Sequence, residues 1–494
     1  MLLCLTLAAA AVAVTAQVQA LLDAGIGQYH QGEYLVAREQ FAAAIYLEPT
    51  NPNAHFWLGT VQYQLQQYDA ALKELQRAVE LWPQFPEAHN NLGNVLLALH
   101  RPAEAAKAYS TALGFRPAYE DAQYNLGNAL LETGDAPGAA QAFRRVAQLN
   151  PKRGDAHNNL GLALDRLGRG PEALAEYKEA ATLAPGVLLY QLNCGIACLN
   201  NSRSREAVNA FRAVIKIDPA QYDAWFNLGL AWYKIGSFGA VNDAALADAK
   251  AAFAEAEKLR PSDPEPAYHL GLCDTALGAH SEALEHYQRS DRIKPGQAKV
   301  LLNLGYTLLE LKRPEEAIPP LIRATELDPK SILAHQNLAL AYTQRGDEDK
   351  ALQEWMQMAN LNERMALPHE HIGRIYFNQG KYVDAERHFR RYLHLNPDNA
   401  LVWNNLGVDY ERQSSALADP GLKKQELEAA VDAYQHALAL DPNFAIAHNN
   451  LGVAYELLGD VERAKAEYRK TLALDPNHAE AKANLARLEG GGGQ

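Results

Sequence analysis

Residues 86–119 read PEAHNNLGNVLLALHRPAEAAKAYSTALGFRPAY, and this stretch decides the fold. Ala88-His89-Asn90-Asn91-Leu92-Gly93 opens a first helix, A, and Arg101-Pro102 marks a turn. Ala105, Tyr109 and Ala112 then fall on one face of a second helix, B, at i, i+4 and i+7. Pro117 cannot continue a helix interior and sets the start of the next unit. The stretch is 34 residues long, and its landmarks recur at that interval. Leu58-Gly59, Leu92-Gly93, Leu126-Gly127 and Leu160-Gly161 are in step, as are Pro49, Pro83, Pro117, Pro151, Pro185 and Pro219. A period in the range of about 20 to 50 residues indicates stacked units rather than a globule, because no unit can bury its apolar face alone.

With position 1 at Val18, later units start at Pro52, Pro86, Glu120, Gly154, Leu188, Tyr222, Pro264, Ala298, Ile332, Ala366, Ala400 and Ala445, thirteen in all. Position 20 is Ala in every unit, from Ala37 to Ala464. Position 8 is Gly except at Ala339, and position 32 is Pro except at Glu363. Position 24 is usually aromatic, as in Phe41, Tyr109 and Phe143. Small residues at 8 and 20 stand where helix axes must approach closely. The Leu-Gly pair, the Ala, the aromatic and the Pro together resemble the tetratricopeptide repeat family over residues 18–489. The resemblance implies an all-α, right-handed superhelical solenoid with thirteen helix pairs over 18–478. A capping helix at 479–489 and a flexible tail at 490–494 complete the expected chain.

The 494 residues are 48% hydrophobic and carry a formal charge of −13. The length alone would suggest about three domains, but the repeat replaces them with one array. The acidic balance argues against a nucleic-acid partner, which favours a basic stripe. Cys194, Cys198 and Cys273 read as small buried hydrophobes, since a Cys-x3-Cys pair lacks a second pair to complete a metal site. Residues 1–16, MLLCLTLAAAAVAVTA, form an uncharged apolar run too short for an ordinary membrane span. The run resembles a signal peptide ending at Val14-Thr15-Ala16, without the usual basic start. A short apolar helix packed on the first unit is the other reading. The first implies an exported, periplasmic or extracellular chain; the second a cytoplasmic one, with membrane association only if the run is retained.

Two units are longer, with extra residues between Gly236 and Ala249 and between Ser414 and Ala430. Both insertions are expected in the A–B turn, with Ala244–Lys250 and Lys423–Glu428 able to lengthen helix B. The unit from Ile332 lacks both its Gly and its Pro and gathers Met356, Met358 and Met365, the composition of a softer junction or hinge.

Position 6 carries the function-like signal. It is Asn in Asn91, Asn125, Asn159, Asn193, Asn227, Asn303, Asn337, Asn405 and Asn450, although Asn is a mediocre helix former. The resemblance places this position on the concave groove. An amide ladder there can donate to and accept from the backbone of any extended peptide. Its Asn-Asn-Leu-Gly context is similar to the repeat arm of O-linked N-acetylglucosaminyltransferases, whose groove holds client polypeptides. Alternatively the ladder bonds adjacent units to each other. The unbroken run Asn91–Asn227 is the expected main groove. Acidic residues at position 2 (Glu87, Asp121, Asp155, Asp223, Glu265) either favour the helix N-terminus or attract basic peptides. Leu333, Leu367, Leu401 and Ile446 make the later groove more apolar. No Lys or Arg stands at position 5 or 6, so the carboxylate clamp of chaperone-binding family members is not expected.

His55, His89, His157, His335, His369 and His448 share position 4, and equivalent positions in different units do not meet at a metal. No phosphate loop, His-Glu-x-x-His or Gly-x-Ser-x-Gly occurs. The sequence therefore predicts a non-enzymatic scaffold for a protein or peptide partner, with no cofactor, metal or small-molecule substrate. The alternatives are the substrate-docking arm of a glycosyltransferase and an envelope assembly factor held near a membrane.

Overall fold

The computed structural model describes the backbone of residues 2–490 and the side chains of residues 13–490. Among the described residues there are 27 helices and no strand. They come in consecutive pairs such as Pro86–Ala98 with Pro102–Phe115 and Glu120–Thr133 with Ala136–Leu149. The chain divides into two compact parts, a first half Met1–Arg260 and a second half Pro261–Gln494. Within each, a helix packs on its partner and then on the next pair, so one stacking rule builds both.

Local sequence explains the pairing. Position 20 is fully buried in all its occurrences, from Ala37 to Ala464, where only a methyl group fits between the two helices. Position 8 lies against the side chain at position 24. A Cβ added to Gly93 would stand 2.5 Å from the Tyr109 ring, and one added to Gly127 would stand 2.6 Å from Phe143. Ala339 and Trp355 are the exception, and both are fully buried. The A–B turn closes on one left-handed residue at position 15, as at Gly134 with φ 83°. Gln66, His100, Ser202 and Lys312 hold the same conformation at φ 57–59° without being glycine.

The two insertions lie in the A–B connection, yet they are mostly helix rather than loop. They extend Tyr222–Ser237 and Asp243–Leu259 in one case and Ala400–Ala416 and Pro420–Leu440 in the other. Only residues 238–242 and 417–419 stay outside helices. Asn242 and Asp419 cap the second helices by accepting from backbone N–H groups two or three residues on.

The first helix, Leu2–His30, runs without a break through the boundary expected near residue 17. Residues 13–17 are exposed, and Val18 and Leu22 are its buried apolar contacts. Among the described side chains, Val18 is the first of this stretch to be buried in the first core. Cys4 and the tail at 491–494 lie outside the described side chains and residues. No described helix is long and apolar enough to cross a membrane. At the other end, Ala479–Gly490 buries Ala481 and packs Leu485 and Leu488 on the last core. The junction with three methionines is closed by Trp355 and Met358, both fully buried beside Ile372 and Ile375.

Candidate binding face

All nine position-6 asparagines are half-buried on their A helices, and their amides divide into distinct groups. Six donate to the preceding pair. Asn91 Nδ2 reaches Thr60 Oγ1 at 2.9 Å. Asn125 Nδ2 reaches Asn90 Oδ1 and Asn94 Oδ1, both at 3.1 Å. Asn159 Nδ2 reaches the Tyr124 hydroxyl and Asn128 Oδ1, both at 3.1 Å. Asn193 Nδ2 reaches Asn158 Oδ1 at 2.8 Å, and Asn303 Nδ2 reaches the Tyr268 hydroxyl at 3.3 Å. Asn450 Nδ2 reaches Asn404 Oδ1 at 3.1 Å. Every acceptor stands at position 5 or 9 of the preceding unit.

At three units the bond to the preceding pair is absent among the described residues. Leu192 and Ile196 precede Asn227, which turns back to the carbonyl of Asp223 at 2.7 Å. Leu302 and Tyr306 precede Asn337, and Glu370 and Arg374 precede Asn405. Neither Asn337 nor Asn405 makes a side-chain hydrogen bond among the described residues. The stretch Asn91–Asn227 thus has at least one N–H of every ladder asparagine engaged, as have Asn303 and Asn450. The stretch retains free carbonyl oxygens at Asn125, Asn193 and Asn227, while those of Asn91 and Asn159 accept from Asn90 and Asn158.

Position 2 is likewise occupied in the first half. Arg116 pairs with Glu87 at 2.5 Å, and Arg153 reaches Glu120, Asp121 and Asp155 at 2.9, 3.3 and 2.9 Å. Arg260 stands 4.0 Å from Asp223. In the second half Lys299 takes Glu265 at 2.7 Å. Each acidic residue expected to draw basic peptides thus faces a cation of the chain, Asp121 and Asp155 sharing Arg153. Further along the second half, Leu333, Leu367, Leu401 and Ile446 are exposed, 60% in the case of Leu333.

Four of the six position-4 histidines are bracketed. In His55 one ring nitrogen lies 2.6 Å from Glu74 Oε2 and the other 3.0 Å from the carbonyl of Pro49. His157 has Glu176 and Pro151, His335 has Glu354 and Pro329, and His448 has Glu467 and Pro442 in the same roles. The Glu is always at position 23 and the Pro at position 32 of the unit before. The bond to Glu74 raises the His55 pKa above its ordinary value, against burial.

Tetratricopeptide repeat models match residues 124–187, 195–240, 242–298 and 300–360. Further models of the same repeat match 59–99, 422–459, 366–399 and 445–478. The chain belongs to the tetratricopeptide repeat family. No curated protein matches it significantly. Among solved structures, the APC/C hetero-tetramer Cut9-Hcn1 aligns over 94% of this chain and 95% of its own, with 16% identity and a TM-score of 0.34. YrrB, a TPR protein described as having an unusual peptide-binding site, aligns over 37% of this chain and 95% of its own, with 22% identity and a TM-score of 0.35. Naa15/Naa10 bound to HypK-THB aligns over 96% of both, with 14% identity and a TM-score of 0.35. The family assignment stands on the repeat models.

This tetratricopeptide repeat chain also holds groups that the repeat pattern does not announce. Asp409 is fully buried; its Oδ1 has no partner and its Oδ2 accepts from Gln413 Nε2 at 3.0 Å. Burial pushes its pKa up to about 7. The readable signal is its place: position 10 is otherwise Gly, Ala, Val, Ile, Cys or Thr. His371 at position 6 lies flat on Trp355, with centroids 4.0 Å apart and planes at 2°. Burial brings its pKa down to about 4. Cys194, Cys198 and Cys273 are buried as thiols.

Proposed function

We propose that this tetratricopeptide repeat chain is a binding scaffold that holds an extended polypeptide along the A helices, in the concave groove expected of the family. The observation that carries the reading is the pair Asn337 and Asn405. Each is half-buried on an A helix, and among the described residues neither amide has a hydrogen-bond partner. An amide so placed can donate to a peptide carbonyl and accept from a peptide N–H at once. Exposed Leu333, Leu367 and Leu401 stand four positions before each A-helix position 6 of that region, and offer apolar contact to side chains of the bound segment. In the first half, the carbonyl oxygens of Asn125, Asn193 and Asn227 add acceptors.

The division into thirteen units from Val18 is the frame of this proposal. The mature chain is proposed to begin at Gln17, which supports export. Removal of residues 1–16 takes away none of the apolar side chains that the first core uses from Val18 onward.

The test is selection of disordered peptides from a displayed random library, followed by affinity measurement on the selected sequences. Asn337→Ala with Asn405→Ala should weaken binding at least about tenfold, the equivalent of roughly 1.4 kcal/mol. Unchanged affinity in a folded double variant counts against the site. N-terminal sequencing of native protein tests the start at Gln17; a retained Met1 contradicts it.

A further inference from the structure

His89 keeps the carbonyl of Pro83 but has Ala108 in place of the Glu, and both anchors are lost in one helix pair, Leu367–Asn378 with Tyr382–Leu395. Position 23 there is His388 instead of Glu, and Nδ1 of His369 lies 3.0 Å from Nδ1 of His388. The second anchor has changed as well. The residue that stands for the usual Pro is Glu363, and its carbonyl accepts from Arg391 Nη2 at 3.2 Å. His369 therefore lacks both the carboxylate and the carbonyl that occupy the two ring nitrogens of His55, His157, His335 and His448. The two rings are half-buried, 5.2 Å apart between centroids, and border a cavity of about 340 Å³. Met356, Asn360 and Glu363 line the same cavity.

We propose that His369 and His388 form a two-imidazole site for a divalent late transition ion of the Ni2+, Cu2+ or Zn2+ class. Imidazole nitrogen suits these ions, at bond lengths of about 2.0–2.1 Å. Two cis nitrogens on one such ion stand roughly 3 Å apart, so the observed 3.0 Å separation is already that of a chelating pair. As the free rings stand, one Nδ1 carries the proton that the other accepts. On binding, that ring moves its proton to Nε2, both Nδ1 lone pairs turn to the ion, and no net proton is released. No third His, Cys, Asp or Glu joins the pair among the described residues, so water from the cavity fills the remaining positions. Arg391, which lines the same cavity, opposes a cation, and the residue Glu363 lines that cavity as well.

The test titrates Ni2+ by calorimetry into the full chain in a non-coordinating buffer. His388→Ala restores what stands opposite His89, namely Ala108, and is expected to fold. His369→Gln is the second variant, since Gln191 occupies position 4 in another unit. His157→Ala is the control for loss of a histidine from a His–Glu bracket. Wild type should bind one more Ni2+ than His388→Ala and than His369→Gln, and His157→Ala should keep the wild-type count. An equal count in wild type and either folded pair variant overturns the site, as does an equal loss in His157→Ala.

Discussion

Between Pro86 and Asn200 the position-6 asparagine ties each helix pair to the one before, whereas between Ile332 and Ala416 the two asparagines at that position tie nothing. The residue type and register are the same in both stretches. The difference lies at positions 5 and 9 of the preceding unit: Asn90, Asn94, Tyr124, Asn128 and Asn158 accept, Leu302 and Arg374 cannot, and the Tyr306 hydroxyl and the Glu370 carboxylate, which faces His371 and Arg374, do not meet the amides. A recurrent polar residue in a solenoid can thus serve stacking in one stretch and remain free for a ligand in another, and its neighbours decide which.

The largest effect expected on this contrast is in the second stretch. The folded chain holds the Asp409 proton up to about pH 7, while an unfolded Asp releases it near pH 4. The folded state binds more protons in that window, so stability falls as pH rises through it. Asp409→Asn removes this loss. Urea unfolding should find the variant more stable at pH 8 by on the order of 3 kcal/mol, and nearly equal to wild type at pH 4. A variant less stable at pH 8 would show that the carboxylate is satisfied there.

Position 8 departs from Gly once, at Ala339 in the second stretch. Gly93→Ala and Gly127→Ala drive a methyl into the rings of Tyr109 and Phe143 and should cost about 1–3 kcal/mol. Ordinary helix propensity has the opposite sign, with Ala favoured by about 1 kcal/mol. Hydrogen exchange on the affected pair reads the sign directly. Ala339→Gly should also destabilise, by less, because the methyl is already accommodated beside Trp355.

A smaller gain is expected at the turns. His100 holds φ 57°, a conformation that costs an L side chain about 1 kcal/mol and glycine almost nothing. His100→Gly should therefore raise the melting temperature. Lys312→Gly, at the same position of a turn in the second half, should act alike.

Much of this is legible in the sequence because the period is fixed. Once Gly93, Ala105, Tyr109 and Pro117 are in register, the helix boundaries follow, and so does the burial of position 20. The uses of polar residues are less legible, because each depends on a second position in another helix. The His–Glu bracket needs positions 4 and 23 read together, as His157 with Glu176. The pairing of Asp155 needs Arg153, and the state of Asn337 needs Leu302 and Tyr306. The period puts the insertions in the right connection, but their helical content depends on caps at Asn242 and Asp419 that the repeat pattern does not contain.

The measurement that bears most directly on the account compares two double variants, Asn125→Ala with Asn159→Ala and Asn337→Ala with Asn405→Ala, for both urea stability and peptide affinity. The account predicts that the first pair loses stability, by about 1 kcal/mol for each tie broken, with a smaller change in affinity. The second pair keeps its stability and loses affinity. The reverse pattern, or equal stability losses in both pairs, would contradict the division of the ladder into tied and free asparagines.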